Sequence, residues 1–177
     1  YNGEVKESML MPLSVDASYS VQVKYVGPLV AQTLGPEEIG LVKMTLTNSG
    51  NQMAYWNLAG YFNRSEWGSE HIRFLNSSVN SSEITYLQLE KEASQDFWIE
   101  FTGPDNLGPG LTEVTVLASG QSPATAQETR KIQILTPMEH NLSMVPSQHT
   151  LTAQADGHTR TVDVDVTNFG NDLERFD

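Results

Sequence analysis

Few side chains of this sequence are able to do chemistry, and the first pair to consider is Asp163 and Asp165. They flank Val164, so in an extended strand both carboxylates lie on the same face. Paired carboxylates can bind calcium or exchange protons with a substrate. A similar strand pattern earlier in the chain carries Lys43 and Thr45 at the matching positions, which share neither role. The pattern therefore favours a solvated strand face.

Histidine, serine and cysteine form no catalytic or metal-binding motif. The four histidines are scattered and none belongs to a His-Glu-x-x-His pair: His71, His140, His149 and His158. The chain has no cysteine, which excludes disulfides and thiolate metal sites, and it has no Gly-x-Ser-x-Gly turn. The sequence predicts no catalytic residue, no metal ion and no cofactor. We therefore expect a protein that is not an enzyme.

Tryptophan is the residue type most suited to contact a ligand here, because sugar rings stack on exposed aromatic faces. Trp56 alternates with Leu58 and is expected in the core. Trp98 is out of phase with its apolar neighbours, and Trp67 lies in a polar stretch. Trp67 and Trp98 are the candidate ligand contacts, and packing against the protein is the alternative for both.

Four Asn-x-Ser/Thr sequons are candidate glycosylation sites: Asn63, Asn76, Asn80 and Asn141. Three of them fall within residues 63–82, the longest irregular stretch of the chain. Because this stretch is rich in serine and asparagine, we expect it to project from the fold, held by an apolar island at residues 72–75. A polar loop with clustered sequons is typical of a protein on a surface that glycosylates asparagine.

The elements that must position these residues are β-strands. Apolar residues recur with a spacing of two in short runs, and Gly, Pro and Asn clusters separate the runs, a pattern typical of an antiparallel β-sandwich. One segment, residues 87–94, fits a helix or a strand equally well. The spacing predicts a common core of Val42, Met44, Leu46, Phe97, Ile99, Val114 and Val116.

The chain also repeats itself. Residues 42–51 read VKMTLTNSGN and residues 162–171 read VDVDVTNFGN, with identical or similar residues at seven of the ten positions, each 120 positions apart. Long-period similarity indicates tandem units. We predict the last strand of a preceding unit or a linker at 1–17, a complete sandwich at 18–137, and the start of a truncated second unit at 138–177.

The order of these motifs resembles a known family. A strand ending in Thr-Asn-x-Gly-Asn is followed by Trp67, an apolar-x-apolar strand at 97–101, a Pro/Gly-rich turn and VTVLASGQSP at 114–123. This order is similar to that of the immunoglobulin-like alpha-galactosidase-associated (NPCBM-associated) and CARDB-type domains. The resemblance implies an extracellular β-sandwich, often repeated in bacterial and archaeal surface proteins, and it brings no catalytic residues.

A net charge of −12 argues against nucleic-acid binding and against docking on anionic membranes. Together these features predict a non-catalytic structural or interaction segment of a secreted or cell-surface protein, bacterial or archaeal, with a spacer, adhesion or surface-layer role. Its expected partners are other domains or copies of the same surface protein, and glycans. The alternative is a carbohydrate-binding accessory module of a secreted glycoside hydrolase.

Overall fold

The computed structural model describes residues 13–27, 31–79, 81–147 and 161–173. Eleven strands and one 3-10 turn lie in these residues, and none of their helices is long and apolar enough to cross a membrane. The strands are β1 (Val21–Tyr25), β2 (Gln32–Thr33), β3 (Ile39–Asn48), β4 (Ala54–Phe62), β5 (Ile72–Leu75), β6 (Tyr86–Leu89), β7 (Ser94–Thr102), β8 (Gly110–Gly120), β9 (Gln127–Thr136), β10 (Leu142–Pro146) and β11 (Val164–Asn168).

Nine strands form two facing sheets. The first sheet has the order β1-β3-β7-β5 and is antiparallel throughout. The second has the order β2-β9-β8-β4-β6, antiparallel except where β2 runs parallel to β9. The chain thus starts in one sheet as β1 and crosses to the other as β2, where it lies beside the last strand of the sandwich. The predicted all-β, antiparallel sandwich is confirmed.

The core between the sheets follows the period of two. All seven predicted core residues are buried, and Phe97 and Ile99 are completely enclosed. Trp98, between them, points to the other face and is half-buried. Trp56 is also completely buried, as its alternation with Leu58 predicted. Because alternate residues of a strand face opposite sides, the polar residues of the same runs remain in solvent.

Residues 63–82 are not one irregular loop, and this part of the prediction is wrong. A 3-10 turn at Ser69–His71 leads into β5, which pairs with β7 at the sheet edge. The apolar island does hold the segment: Ile72, Phe74 and Leu75 are all buried. The segment at 87–94, whose type the sequence left open, begins in β6 and continues to the start of β7.

A third, two-stranded sheet follows the sandwich. β10 and β11 pair antiparallel, with Met144 opposite Val166 and Leu142 opposite Asn168. β9 ends at Thr136, directly before Pro137, so only a short link separates the sandwich from this hairpin. The division into a preceding strand, one unit and a second unit stays a prediction.

Candidate interaction site

Asn51 joins the chain that enters the sandwich to the turn after β3. Its side-chain Nδ2 donates to the carbonyl oxygen of Asp16 (2.9 Å), and its Oδ1 accepts from the backbone N–H of Ser18 (2.8 Å). The backbone N–H of Asn51 donates to the carbonyl of Ser18 (3.0 Å). Gly50 lies so close that an added Cβ would overlap the Ser18 carbonyl oxygen. We call this arrangement the N-terminal clamp, and it requires both the asparagine and the glycine.

Asn48, at the end of β3, is completely buried and bonds across the two sheets. Its Nδ2 lies 3.1 Å from the carbonyl oxygens of Leu89 and of Glu90, at the end of β6, and 2.8 Å from that of Gln52. Its Oδ1 accepts from the N–H of Gly50 (3.0 Å). A buried amide with this many partners fixes the turn and ties the first sheet to the second.

Asn171, after β11, makes the same bonds at the other end of the sandwich. Its Nδ2 donates to the carbonyl of Pro137 (2.8 Å), its Oδ1 accepts from the N–H of Glu139 (2.8 Å), and its own N–H donates to the Glu139 carbonyl (3.2 Å). A Cβ on Gly170 would overlap that carbonyl oxygen. This is the C-terminal clamp, and it holds the hairpin to the chain that leaves β9.

The turn inside the hairpin also matches. Asn168 Oδ1 accepts from the N–H of Gly170 (2.8 Å), and its Nδ2 donates to the carbonyl of Asp172 (2.7 Å). Unlike Asn48, Asn168 is exposed. The two asparagines therefore have the same local bonds, and among the residues that the structure describes only Asn48 adds bonds to a second sheet.

An open cavity of about 640 Å³ lies where the sandwich meets the hairpin. It is lined by the turns at 35–38 and 105–107, by Glu139 and by residues 168–173. Its charged lining groups are the carboxylates of Glu38, Asp105, Glu139 and Asp172. Within the described residues, no three His, Cys, Asp or Glu side chains are arranged to hold a metal ion. The cavity marks the joint between the two bodies.

The hairpin has one apolar and one polar face. Asp163, Asp165 and Thr167 lie exposed on the polar face, so the solvated reading of the carboxylate pair is what the structure shows. The other face is apolar, and the part of the chain that the structure describes leaves it in solvent. Its residues and their exposed fractions are Leu142 (40%), Met144 (62%), Val162 (37%), Val164 (44%) and Val166 (45%).

Of the two candidate ligand-contact tryptophans, one is in the core. Trp67 is only 5% exposed and its ring stacks on Phe62 with centroids 4.6 Å apart, so the hypothesis that it meets a ligand is wrong. Its polar neighbours in sequence hid a contact with the last residue of β4, five positions earlier. Trp98 is half-buried, and the Lys43 ammonium lies 5.2 Å from its ring centroid. That cation already covers one face of the ring.

Lys43 also sets the local electrostatics. Its Nζ lies 2.6 Å from Asp96 Oδ2, and the Thr45 hydroxyl donates to Asp96 Oδ1 (2.6 Å). The hydrogen bond from Lys43, followed by that from Thr45, lowers the pKa of Asp96 from its ordinary value. These groups stabilise the charged carboxylate on an outer sheet face. They form a surface ion pair rather than a catalytic set.

Three sequons lie in described residues and are exposed: Asn63, Asn76 and Asn141. Asn80 lies outside the described residues. Asn63 accepts from the N–H of Glu113 (2.8 Å) and Asn76 from that of Ser82 (3.1 Å), in each case with the amide oxygen. These bonds leave out the amide nitrogen, which is the atom that a glycan would modify.

The histidines are not brought together. His71 lies beside β7, where its Nδ1 is 2.9 Å from the Thr102 carbonyl oxygen and its ring meets Trp67 edge-on. His140 lies in the link between β9 and β10. His149 and His158 lie outside the described residues. The described pair therefore forms no shared site.

Sequence reasoning missed a group on the outer face of the second sheet. Tyr55 and Tyr86, from β4 and β6, are 37% and 50% exposed, and their ring centroids are 6.0 Å apart. Beside them the Gln121 side chain donates to Asn57 Oδ1 (2.6 Å). The sequence did contain a clue: Tyr55 directly precedes the buried Trp56 in a strand and must therefore face outward, just as Trp98 does beside Phe97. Two rings and neighbouring amides form a small polar-aromatic surface.

This topology defines the class of the protein as an immunoglobulin-like β-sandwich. A family 123 glycoside hydrolase from Clostridium perfringens superposes with a TM-score of 0.51 at 11% identity; the match covers 66% of this chain and 27% of the hydrolase. The PapD-like domain of human CEP192 matches with a TM-score of 0.43 at 12% identity, over 74% of this chain and 94% of that domain.

The FixG-related protein from Vibrio parahaemolyticus matches with a TM-score of 0.44 at 12% identity, over 69% of this chain and 98% of that one. No family model matches the sequence, and a search of curated proteins found no match. At these identities the solved structures resemble this chain in fold alone.

Proposed function

We propose that this chain is a non-catalytic structural segment of a secreted or cell-surface protein built from tandem immunoglobulin-like units. The observation that carries the proposal is the repeated clamp. Asn51 and Asn171 make the same three bonds to residues 16–18 and 137–139, at opposite ends of one sandwich. A domain whose N-terminal and C-terminal connections are held by the same set of hydrogen bonds is suited to repetition.

The clamps also support a spacing role. The link after β9 has little freedom, because Asn171 bonds to both Pro137 and Glu139, with only Met138 between them. The resemblance to NPCBM-associated and CARDB-type domains and the exposed sequons agree with a bacterial or archaeal cell surface. Other units or copies of the same protein are then its partners.

A distance measurement tests the spacing role. The chain has no cysteine, so spin labels are placed cleanly at Thr129→Cys on the sandwich and Thr167→Cys on the hairpin. Pulsed electron resonance is expected to give a narrow distance distribution, and Asn171→Ala is expected to broaden it. Asn51→Ala is the matched control, since it breaks the same bonds at the distant clamp. Equal widths in all three proteins would contradict a stiff joint.

The surface location has its own test. Intact-mass measurement of protein from its native source is expected to show glycans, with Asn63, Asn76 and Asn141 as the described candidates because all three are exposed. An unmodified mass would remove the glycosylation argument and leave the spacing role in place.

One observation favours carbohydrate binding as a second candidate. Tyr55 and Tyr86 provide two exposed rings, and Asn57 and Gln121 provide amides beside them. Stacking and amide hydrogen bonds are how proteins bind polysaccharides. Affinity electrophoresis in gels that contain soluble polysaccharide tests this: retardation should be lost in Tyr55→Ala and retained in Tyr61→Ala, an exposed tyrosine of the same strand. Retardation equal in both would reject this surface.

A further inference from the structure

The apolar face of the β10–β11 hairpin carries the same side chains as the buried face of the pair β1–β3. The two pairs match at their ends, because Val21 lies opposite Asn48 and Leu142 lies opposite Asn168. The matched inward residues are Val21, Val23, Met44 and Leu46 in the sandwich, and Leu142, Met144, Val164 and Val166 in the hairpin. Each set has two valines, one leucine and one methionine, so the two faces have the same total side-chain volume. The larger residues lie on β3 in the sandwich and on β10 in the hairpin.

The two faces differ in burial. The four sandwich residues are at most 5% exposed, whereas Met144 and Val166 of the hairpin are 62% and 45% exposed. A two-stranded hairpin is only marginally stable in water by itself, and an apolar face of this kind needs further strands or a second layer. Among the residues that the structure describes, β10 and β11 pair only with each other. The hairpin therefore presents a face that a partner must cover.

The sandwich shows what covers such a pair. Along the free edge of β3 runs β7, with Ile99 opposite Val42 and Phe97 opposite Met44. Across the core, Trp56 of β4 belongs to the same buried cluster as the inward residues of β1 and β3. The cover is thus the later part of the same unit, strands β4–β9, in which β7 extends the first sheet and the second sheet closes the core.

Asn168 is placed for the same contact. It lies two residues after Val166, on the apolar face, and its turn bonds reproduce those of Asn48. Asn48 also shares its amide hydrogens with the carbonyls of Leu89 and Glu90, at the end of β6. The Asn168 amide has two hydrogens as well, and within the described residues its bond goes to a carbonyl of its own turn. It is therefore oriented to donate to a strand end placed as that of β6 is.

We propose that this face is the docking surface for a half-sandwich equivalent to β4–β9, supplied by the next unit of the same polypeptide, and that Asn168 anchors the half-sandwich. The docking rests on the tandem organisation proposed above. The partner has three features: an edge strand with large apolar residues opposite Val162 and Val164, an apolar sheet face that fits the four hairpin side chains, and two backbone carbonyls within reach of the Asn168 amide.

A second copy of the sandwich does not supply this partner, because its own strands β4–β9 already pack on β1 and β3. Docking within one polypeptide is a folding step, so it does not require the roughly 800 Å² on each partner that holds two free proteins together. The hairpin becomes the first strand pair of a complete core.

An exchange of residues within the existing sandwich tests the fit. Val21→Leu with Val23→Met enlarges β1, and Met44→Val with Leu46→Val makes β3 smaller. Each pair of changes alone should lower the melting temperature, by overpacking or by leaving a cavity. All four changes together give the hairpin's set at constant volume, so this protein should melt above both two-residue variants. Melting at or below either of them would show that the hairpin side chains do not fit such a cover, which overturns the proposal.

A graft tests the docking itself. A second copy of residues 52–137 is joined directly after Asn171, in place of residues 172–177, so that the graft follows Asn171 as residue 52 follows Asn51. The chain has no cysteine, so Met144→Cys provides a single thiol on the apolar face. This thiol should react with a maleimide about tenfold more slowly in the graft protein than in the native chain. Thr167→Cys, on the polar face, should react at the same rate in both.

Matched variants of the graft protein complete the test. Val166→Asp should restore the fast reaction of the Met144→Cys thiol, whereas Thr167→Asp should leave it slow. Asn168→Ala should also speed the reaction, and an unchanged rate would overturn its role as the anchor. Equal rates of the Met144→Cys thiol in the graft protein and the native chain would overturn the docking. Equal rates together with a narrow spin-label distribution in the native chain would leave the tandem spacer in place.

Discussion

Replacement of Asn48 by alanine should destabilise the sandwich far more than the same change at Asn168. The side chain of Asn48 is completely buried and has four backbone partners, two of them at the end of β6 in the other sheet. Its two amide hydrogens are shared among three carbonyl oxygens, and its amide oxygen accepts one bond. The alanine variant loses these bonds and leaves the Leu89 carbonyl without its side-chain donor. The change acts on the tie between the sheets rather than on packing volume.

The expected size follows from the number of bonds. A hydrogen bond contributes about 1 kcal/mol net, and the two amide hydrogens and the amide oxygen make three full bonds, so the loss in the free energy of unfolding is about 3 kcal/mol. For a sandwich of this size, 1 kcal/mol lowers the melting temperature by roughly 4 °C, which gives about 12 °C for the variant. Asn168 is already exposed, so water replaces its lost bonds, and Asn168→Ala should lower the free energy of unfolding by less than about 1 kcal/mol.

Urea unfolding followed by tryptophan fluorescence measures the difference. Trp56 and Trp67 are buried in the sandwich and the hairpin has no tryptophan, so the signal reports on the sandwich alone. The Asn168→Ala protein is the matched control for the local turn bonds. A loss below about 1 kcal/mol in Asn48→Ala, or equal losses in the two variants, would refute the role assigned to the inter-sheet bonds.

Three further predictions concern the core, the clamps and the outer face. Ile99→Ala should cost about 2–5 kcal/mol and its half-buried neighbour Trp98→Ala about 1 kcal/mol, as measured by thermal unfolding followed by circular dichroism. Gly50→Ala should lower the free energy of unfolding by about 2 kcal/mol, because the added Cβ overlaps the backbone of Ser18. Gly170→Ala should leave the unfolding transition followed by tryptophan fluorescence unchanged. Equal effects of the two changes would contradict the assignment of the two clamps. The Asp96→Asn protein should have a lower free energy of unfolding than the native chain at neutral pH. The pKa of Asp96 is lowered from its ordinary 3.8, so this difference should disappear as the pH falls through the lowered pKa. Urea unfolding at several pH values measures it.

The core was predictable because each of its strands is long enough to show the period of two. Phe97, Ile99 and Phe101 form such a run, and its phase also placed Trp98 on the outer face. β5 escaped because four residues within a polar stretch are too few to establish a period. The burial of Trp67 was not predicted because Trp67 lies outside any strand, in a polar stretch without a period, and packs on Phe62 at the end of β4.

The correspondence between the pair β1–β3 and the pair β10–β11 was visible only in part in the sequence, for a geometric reason. β3 matches β11 at an offset of 120, whereas β1 matches β10 at 121, since Val21 pairs with Asn48 and Leu142 with Asn168. The connection between β1 and β3 is one residue longer than the connection between β10 and β11, so an alignment without gaps cannot match both strands. The strand pairing absorbs this difference, because the connection lies outside the sheet. The clamp bonds become visible only when both segments are placed in space.

The parallel pairing of β2 with β9 has a mechanical consequence. The two strands belong to the opposite ends of the module's path, and they bond as Gln32 with Ile134 and through the Leu34 N–H to the Leu135 carbonyl (3.0 Å). In the array proposed above, tension along the chain would pull β2 towards one clamp and β9 towards the other. Such a load slides the strands past each other and strains their hydrogen bonds together, in shear, instead of opening them one at a time. If the proposed array forms, this pairing makes the module resist force along the direction of the array.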